Sequence, residues 1–148
     1  MIHDRLGMPA EVHADLTLGV EWKGEEQFDA GRSGAPPIRI DGRSNDGPSP
    51  PETLLASLAT CTAVDVVGIL TKRRTPPVTL HVDVLAERAN GTPRRITKVH
   101  LLYRIAGPGI ERPHAERAIE LAVTKYCTVR DSLDPGMPVT WSLELRDA

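Results

Sequence analysis

The sequence predicts an α+β fold with the element order β-β-β-α-β-β-α-β. Segments in which apolar and polar residues alternate indicate strands near both ends and in the middle of the chain. Two segments with helical spacing of apolar residues separate these strands. The length of 148 residues suits one domain with its own core, and no linker is long enough to divide it. We therefore expect a single domain over residues 1–148.

Three strands are expected before the first helix. From Val12 to Trp22 apolar and polar residues alternate strictly, which is typical of a half-buried strand. The segment KGEE at 23–26 indicates a turn, and a shorter strand follows around Gln27 to Ala30. A third short strand is predicted at Ile38 to Ile40. Three strands in succession favour an antiparallel meander.

A long helix is predicted from Pro50 to about Arg73. Ser49 can cap this helix, Pro50 suits its first position, and Glu52 completes a capping box with Ser49. The apolar residues occur nearly all the way round, so we expect the buried central helix of the domain. A membrane span is not expected, because the apolar stretch is short and contains Asp65.

The second half of the chain predicts a hairpin, a helix and a last strand. Residues 78–87 and 96–105 alternate in the manner of strands, and Asn90 with Gly91 is a strong turn signal between them. Residues 113–126 have apolar side chains at helical spacing. The last strand is expected over residues 139–145, where alternation resumes.

Charge and cysteine content exclude several classes of function. A formal net charge of −2 offers no basic footprint for nucleic acid. Two cysteines do not make a secreted disulfide scaffold, and the N-terminus lacks the apolar region of a signal peptide, so a cytoplasmic location is expected. The five histidines form no metal-ligand spacing with the cysteines, and neither a metal nor a bound cofactor is predicted.

The two cysteines are the first candidates for chemistry. Cys61 lies in the middle of the predicted helix, where a thiol usually acts as a small apolar core residue. Cys127 lies at the end of the second helix, and Thr128 or Asp131 could cap a short helix after it. Amides at the start of such a helix would favour a thiolate at Cys127. From the residues alone, a structural and a reactive role stay open for each cysteine.

Three separate blocks resemble the OsmC/Ohr family of osmotically inducible and organic hydroperoxide resistance proteins. They are GPSPPETLL at 47–55, CTAVDVV at 61–67 and KYCTV at 125–129, and they are nearest to the less characterised OsmC-like branch. The order of predicted elements also matches that family over about residues 12–146. The resemblance implies antiparallel sheets wrapped around the central helix and an intertwined homodimer with active sites at the interface. Residues 1–10 would then be flexible or exchanged between subunits.

The resemblance also implies a thiol-dependent peroxidase acting in oxidative-stress defence. Cys61 would attack an organic hydroperoxide or hydrogen peroxide, and Cys127 would resolve the sulfenic acid as a disulfide. An external dithiol, such as protein-bound lipoyl groups, would restore both thiols. A non-catalytic protein of the same fold that binds a small ligand or senses redox state stays open as the alternative.

In the hydroperoxide-resistance branch a Glu and an Arg support the reactive cysteine. Glu52 matches this Glu but lies nine residues before Cys61, one fewer than in those proteins. Nine helical positions correspond to about 13 Å of rise and half a turn, so Glu52 cannot touch its own Cys61. It would therefore serve the partner's site or act only as a helix cap.

The matching Arg is harder to assign. Arg32 lies in a glycine-flanked segment similar to that of the hydroperoxide-resistance branch, where a guanidinium would favour the Cys61 thiolate and bind peroxide oxygens. A solvated role in a loop stays open for Arg32, and Arg39 is a weaker candidate. Asp65, one turn after Cys61, is expected to be a structural partner of a nearby backbone or basic group.

Overall fold

The computed structural model describes residues 12–147, so the expectation for residues 1–10 lies outside the described part of the chain. Two compact units are present, one ending at Thr53 and the other beginning at Leu54. The predicted α+β class and the order of the main strands and helices are confirmed. Helix α1, Pro50–Lys72, starts in the first unit and continues in the second.

The first unit contains a three-stranded antiparallel sheet. Its strands are β1 (Gly19–Gly24), β2 (Gln27–Gly31) and β3 (Ile38–Asp41), paired in sequence order. The first strand is shorter than the alternation from Val12 predicts. Because β2 ends at Gly31, which pairs with Gly19, residues 12–18 have no strand partner among the described residues.

The loop between β3 and α1 is organised around the buried carboxylate of Asp41, which is 2% exposed. Its Oδ1 accepts the backbone N–H of Arg43 at 2.9 Å, and its Oδ2 accepts that of Asp46 at 3.0 Å. These hydrogen bonds, that of Arg43 first, hold the pKa of Asp41 below its usual value. Hydrogen bonds therefore order the polar loop before α1, and this order sets the path by which the chain enters the helix.

The second unit contains a mixed three-stranded sheet. Strands β4 (Thr79–Arg88) and β5 (Ile96–Ala106) form the predicted hairpin, and β6 (Val139–Arg146) pairs with β5 in parallel. A parallel pair needs a crossover connection. Here the crossover consists of α2 (Arg112–Leu121), a π-helical turn (Ala122–Tyr126) and the short α3 (Thr128–Asp131).

The core of the second unit brings together α1, α2 and one face of this sheet. Alternate side chains of β5 face this core and are at most 1% exposed: Val99, Leu101, Tyr103 and Ile105. One face of α1 contributes a row spaced by four residues: Leu58, Thr62, Val66 and Leu70. The side chains in these two rows are withdrawn from water. Burial of apolar surface is the main favourable contribution to the free energy of folding.

The composition of helix α1 predicts burial all round. Within the single chain, however, only one face of the helix is buried. Val64 is 65% exposed and Val67 is 39% exposed. By length and composition α1 could cross a membrane, but its row of buried residues packs in the core, as in the core helix of a soluble protein. Its remaining apolar face is uncovered within the single chain.

Candidate thiol redox site

The structure brings Cys61 and Cys127 together. The two side chains lie close enough for the Cys61 thiol to raise the pKa of Cys127. Cys127 belongs to the core cluster of the second unit, and Cys61 packs against that cluster. Both thiols are free. Cys61 is partly exposed, whereas Cys127 is 4% exposed, so a reactant from solution reaches Cys61 more readily. Two neighbouring thiols with unequal access are the arrangement needed to form a disulfide after one of them is oxidised.

A π-helical turn positions Cys127. The second predicted helix reaches Tyr126 as expected, but its last turn is widened, so that the N–H of Cys127 bonds to the carbonyl of Ala122 at 3.0 Å. A turn of this kind adds one residue to the helical repeat and often occurs at functional sites. Ala122 and Val123 are buried in the turn, and Cys127 follows with extended backbone (φ −76, ψ 109).

Cys127 itself caps the short helix α3, rather than Thr128 or Asp131 as expected. Its sulfur accepts the backbone N–H of Arg130 at 3.2 Å. This geometry follows from the extended backbone of Cys127, which places the side chain over the first turn as a capping residue requires.

The thiol of Cys127 is nevertheless not activated. Burial raises its pKa to about 11, and the hydrogen bond with Cys61 acts in the same direction, against the opposing effect of the Arg130 amide. The expectation of a thiolate at Cys127 is therefore wrong, because desolvation outweighs the helix amide.

A buried hydroxyl pair adjoins the cysteines. Thr62 and Tyr103 are both 0% exposed, and their hydroxyl oxygens are 2.5 Å apart. Because Thr62 donates to the carbonyl of Ala59 at 2.9 Å, Tyr103 is the donor to Thr62. Burial raises the pKa of Tyr103 to about 12, so it keeps its proton. This bond ties α1 to β5 next to Cys61, and the sequence offered no signal for it beyond a polar residue beside Cys61.

The backbone after α3 is held by Arg130, another residue that the sequence did not single out. Its guanidinium donates to the carbonyls of Asp134 at 3.0 Å and Met137 at 2.8 Å. This loop borders a cleft of about 320 Å³ into which Cys127 opens. The cleft is lined by Val123, Thr124, Lys125, Cys127, Arg130, Asp131, Leu133, Pro135 and Val139.

Glu52 forms the predicted capping box at the start of α1. Its N–H donates to Ser49 Oγ at 3.3 Å, and its Oε1 accepts the Ser49 N–H at 2.9 Å. Ser44, which the sequence did not single out, adds a hydroxyl donor at 2.6 Å. These hydrogen bonds, that of Ser44 first, lower the pKa of Glu52 to about 2. The cap is confirmed, and a role at the thiol site stays a prediction.

The two arginine candidates lie in the first unit. Arg32 is in an exposed turn, and its guanidinium bonds to none of residues 12–147. The guanidinium of Arg39 donates hydrogen bonds to two side chains of β2, that of Asp29 at 2.6 Å and that of Gln27 at 2.9 Å. Half-buried Asp65 has no partner among the described residues, contrary to the expectation of a structural contact. The role of Arg32 stays a prediction.

No group of three potential metal ligands is assembled anywhere in residues 12–147.

Known proteins similar to this chain share its fold and sequence blocks. A family model described as OsmC-like protein matches residues 43–142. Protein YhfA of Escherichia coli (strain K12) is 36% identical over 109 residues, which cover 73% of this chain and 81% of YhfA.

Solved structures extend the comparison. A hypothetical protein from Aquifex aeolicus VF5 has a TM-score of 0.78 at 26% identity, covering 89% of this chain and 97% of that protein. The organic hydroperoxide resistance protein OhrB of Bacillus subtilis has a TM-score of 0.58 at 16% identity, covering 89% and 99% of the two chains. The likeness to OhrB is one of fold.

The capping carboxylate predicts a pH dependence of stability. The pKa of Glu52 is lowered from 4.5 to about 2, so its contribution is present above pH 4.5 and is lost as the pH falls through this interval. In Glu52→Gln the amide oxygen still accepts the Ser49 and Ser44 hydrogen bonds, but the titration is removed. We expect the melting temperature of this variant, followed by circular dichroism, to fall less steeply between pH 4.5 and 2. Glu21→Gln, at an exposed strand position, controls for the lost charge, and identical profiles would contradict a stabilising role for Glu52.

The hydroxyl pair predicts non-additive effects on the free energy of unfolding. Thr62→Val leaves a buried Tyr103 hydroxyl without its acceptor, which costs about 1–3 kcal/mol. Tyr103→Phe should cost less, because Thr62 still donates to Ala59. The double variant should be destabilised by less than the sum in urea unfolding under reducing conditions. Tyr126→Phe, at a half-exposed ring, is the control, and strictly additive losses would show that the two hydroxyls do not interact.

Proposed function

Because the chain belongs to the OsmC-like protein family, we propose that it is a thiol-dependent peroxidase that reduces organic hydroperoxides. The observation that carries this proposal is the contact between partly exposed Cys61 and buried Cys127. The fold shared with an organic hydroperoxide resistance protein supports the same assignment. In this proposal Cys61 is the peroxidatic residue and Cys127 is the resolving residue.

The first step is attack of the Cys61 thiolate on the terminal oxygen of the hydroperoxide. A sulfur–oxygen bond forms and the oxygen–oxygen bond breaks. The departing alkoxide takes up a proton and leaves as an alcohol, while Cys61 becomes a sulfenic acid. Cys61 suits this role because it is the more accessible of the two cysteines.

The second step is attack of the Cys127 sulfur on the Cys61 sulfenic acid. The disulfide bond forms, and hydroxide leaves with the Cys127 proton as water. A thiol with a pKa of about 11 is a weak nucleophile in solution, but contact between the two groups converts the step into a fast intramolecular one. Capture of the sulfenic acid also protects Cys61 from further oxidation.

An external dithiol completes the cycle, and protein-bound lipoyl groups are the proposed source. Its two thiols pass two electrons and two protons to the Cys61–Cys127 disulfide and become a disulfide themselves. The proposed compartment is the cytoplasm, where thiols are kept reduced. The activity would serve defence against oxidative stress.

We further propose a homodimer with the active sites at its interface. On α1 the apolar side chains of Val64 and Val67 are exposed beside half-buried Asp65, which lacks a partner among the described residues. On β1 the side chains of Val20 and Trp22 are 57% and 66% exposed. Apolar surface of this kind marks an interaction site. In the dimer, Glu52 and Arg32 would support the thiol site of the partner.

The dimer proposal predicts that a charge on the open face of α1 disrupts association. Val64→Asp should shift the protein from dimer to monomer in size-exclusion chromatography with light scattering. Val78→Asp is the matched control, because Val78 is 68% exposed and lies outside α1, and it should leave the mass unchanged. A monomeric mass for the unmutated protein at micromolar concentration would rule out the proposal.

The peroxidase proposal predicts consumption of cumene hydroperoxide by the purified protein with dihydrolipoamide. Cys61→Ser should lower this turnover by about a hundredfold or more, because the nucleophile is removed. Cys127→Ser should react once with peroxide and then stall as a sulfenic acid, which mass spectrometry can trap with dimedone. If the unmutated protein consumes no peroxide and both thiols stay free, the non-catalytic binding protein becomes the better explanation.

A further inference from the structure

We propose that the cleft beside Cys127 is the binding site of the reductant, and that it favours a thiol whose own molecule or carrier is negatively charged. This inference rests on the proposed function, since it concerns the return of the Cys61–Cys127 disulfide to two thiols. It assigns a docking site, an attacked sulfur and an electrostatic preference.

The shape of the cleft gives the first argument. It measures about 320 Å³, a size that accepts a small molecule or the slender end of a larger one. Of the two cysteines, Cys127 lines the cleft, and Cys61 is not among the lining residues. A reductant entering here therefore meets Cys127. Cys61 is the more exposed of the two cysteines and lies outside this lining.

The charge around the cleft gives the second argument. Exposed Lys125 and the backbone-bound guanidinium of Arg130 lie in its wall. Asp134 links Arg130 to a further arginine. The Arg130 guanidinium donates to the carbonyl of Asp134, and the Asp134 carboxylate pairs with Arg95 at 3.0 Å. Arg95 belongs to the tip of the β4–β5 hairpin, which also carries Arg88 and Arg94.

The cleft and the hairpin tip together are basic, although the whole chain has a formal charge of −2. The basic side chains are Arg88, Arg94, Arg95, Lys98, Lys125 and Arg130, and the acidic ones are Glu87, Asp131 and Asp134. A surface region with an excess of positive charge raises the local concentration of negatively charged ligands. An anionic thiol is therefore attracted to this cleft from solution.

Thiol–disulfide exchange gives the third argument. The reductant thiolate attacks the Cys127 sulfur, the bond between the two cysteines breaks, and Cys61 departs as a thiolate that takes up a proton. A second thiol then attacks the mixed disulfide at the reductant sulfur, which releases Cys127 and leaves the reductant oxidised. Since a thiol with a pKa of about 11 is a poor leaving group, the opening attack is faster at Cys127, which expels Cys61, than at Cys61, which would expel Cys127.

The test starts from protein whose disulfide has been formed with diamide, so that no peroxidase activity is required. Reduction is followed with 3-mercaptopropionate, 2-mercaptoethanol and cysteamine, which are negative, neutral and positive thiols of similar size. Each rate is divided by the rate of the same thiolate with a neutral small disulfide. We expect the anionic thiol to exceed the cationic one by roughly tenfold at low salt, and the difference to shrink at high salt.

Variants and mapping locate the site. Lys125→Glu should lower the normalised rate of 3-mercaptopropionate several-fold and leave that of 2-mercaptoethanol almost unchanged. Lys72→Glu, the same charge change on an exposed residue outside the cleft lining, should have little effect. After an acid quench, peptide mass mapping should find the first mixed disulfide on Cys127.

Equal normalised rates for the three thiols, an adduct found first on Cys61, or equal effects of the two lysine variants would each overturn the inference. A protein that forms the disulfide with diamide and shows the anionic preference, but consumes no hydroperoxide, would support the cleft and refute the peroxidase. Failure of both measurements would refute both proposals separately.

Discussion

The contact between Cys61 and Cys127 joins two distant segments of the chain, and the rest of the site is arranged around it. One segment is fixed by the packing of α1, whose buried row includes Thr62 next to Cys61. The other is fixed by the π-helical turn and by the cap that Cys127 makes on α3. Because close-packed cores move little, these two anchors keep the two thiols beside each other before any oxidant arrives.

Burial gives the two cysteines different properties. Withdrawal from water raises the pKa of Cys127 and keeps it protonated, despite the helix amide directed at its sulfur. Partly exposed Cys61 is open to reactants. The same asymmetry separates the two half-reactions in our proposal, since peroxide meets Cys61 and the reductant meets Cys127 in its basic cleft.

The site is embedded in a chain that leaves apolar surface open. The exposed side of α1 and the exposed side chains of β1 resemble the core-facing sides of an assembled domain more than a solvated surface. A second copy would cover these faces and would also provide the setting in which Glu52 acts beyond its helix cap. The assembly and the chemistry are therefore linked in the proposal, because both depend on the same helix.

Much of the fold could be predicted from the sequence. The buried face of a strand or helix sets the spacing of its apolar residues, and this spacing can be recognised along the chain. The alternation at 78–87 and 96–105, the capping box at Ser49 and Glu52, and the positions of both cysteines are local features that hold in the structure. The three sequence blocks, two of which contain the cysteines, were also sufficient to indicate the family.

Other features were decided only by the tertiary structure. The early alternation from Val12 became a strand only where β2 offers a partner, and β6 pairs in parallel because of the crossover before it. The pKa of Cys127 follows from how deeply the core covers it, and the bond between Thr62 and Tyr103 exists only after α1 packs on β5. Burial, electrostatic environment and contacts between distant residues arise from the assembled chain, so no local pattern of residues encodes them by itself.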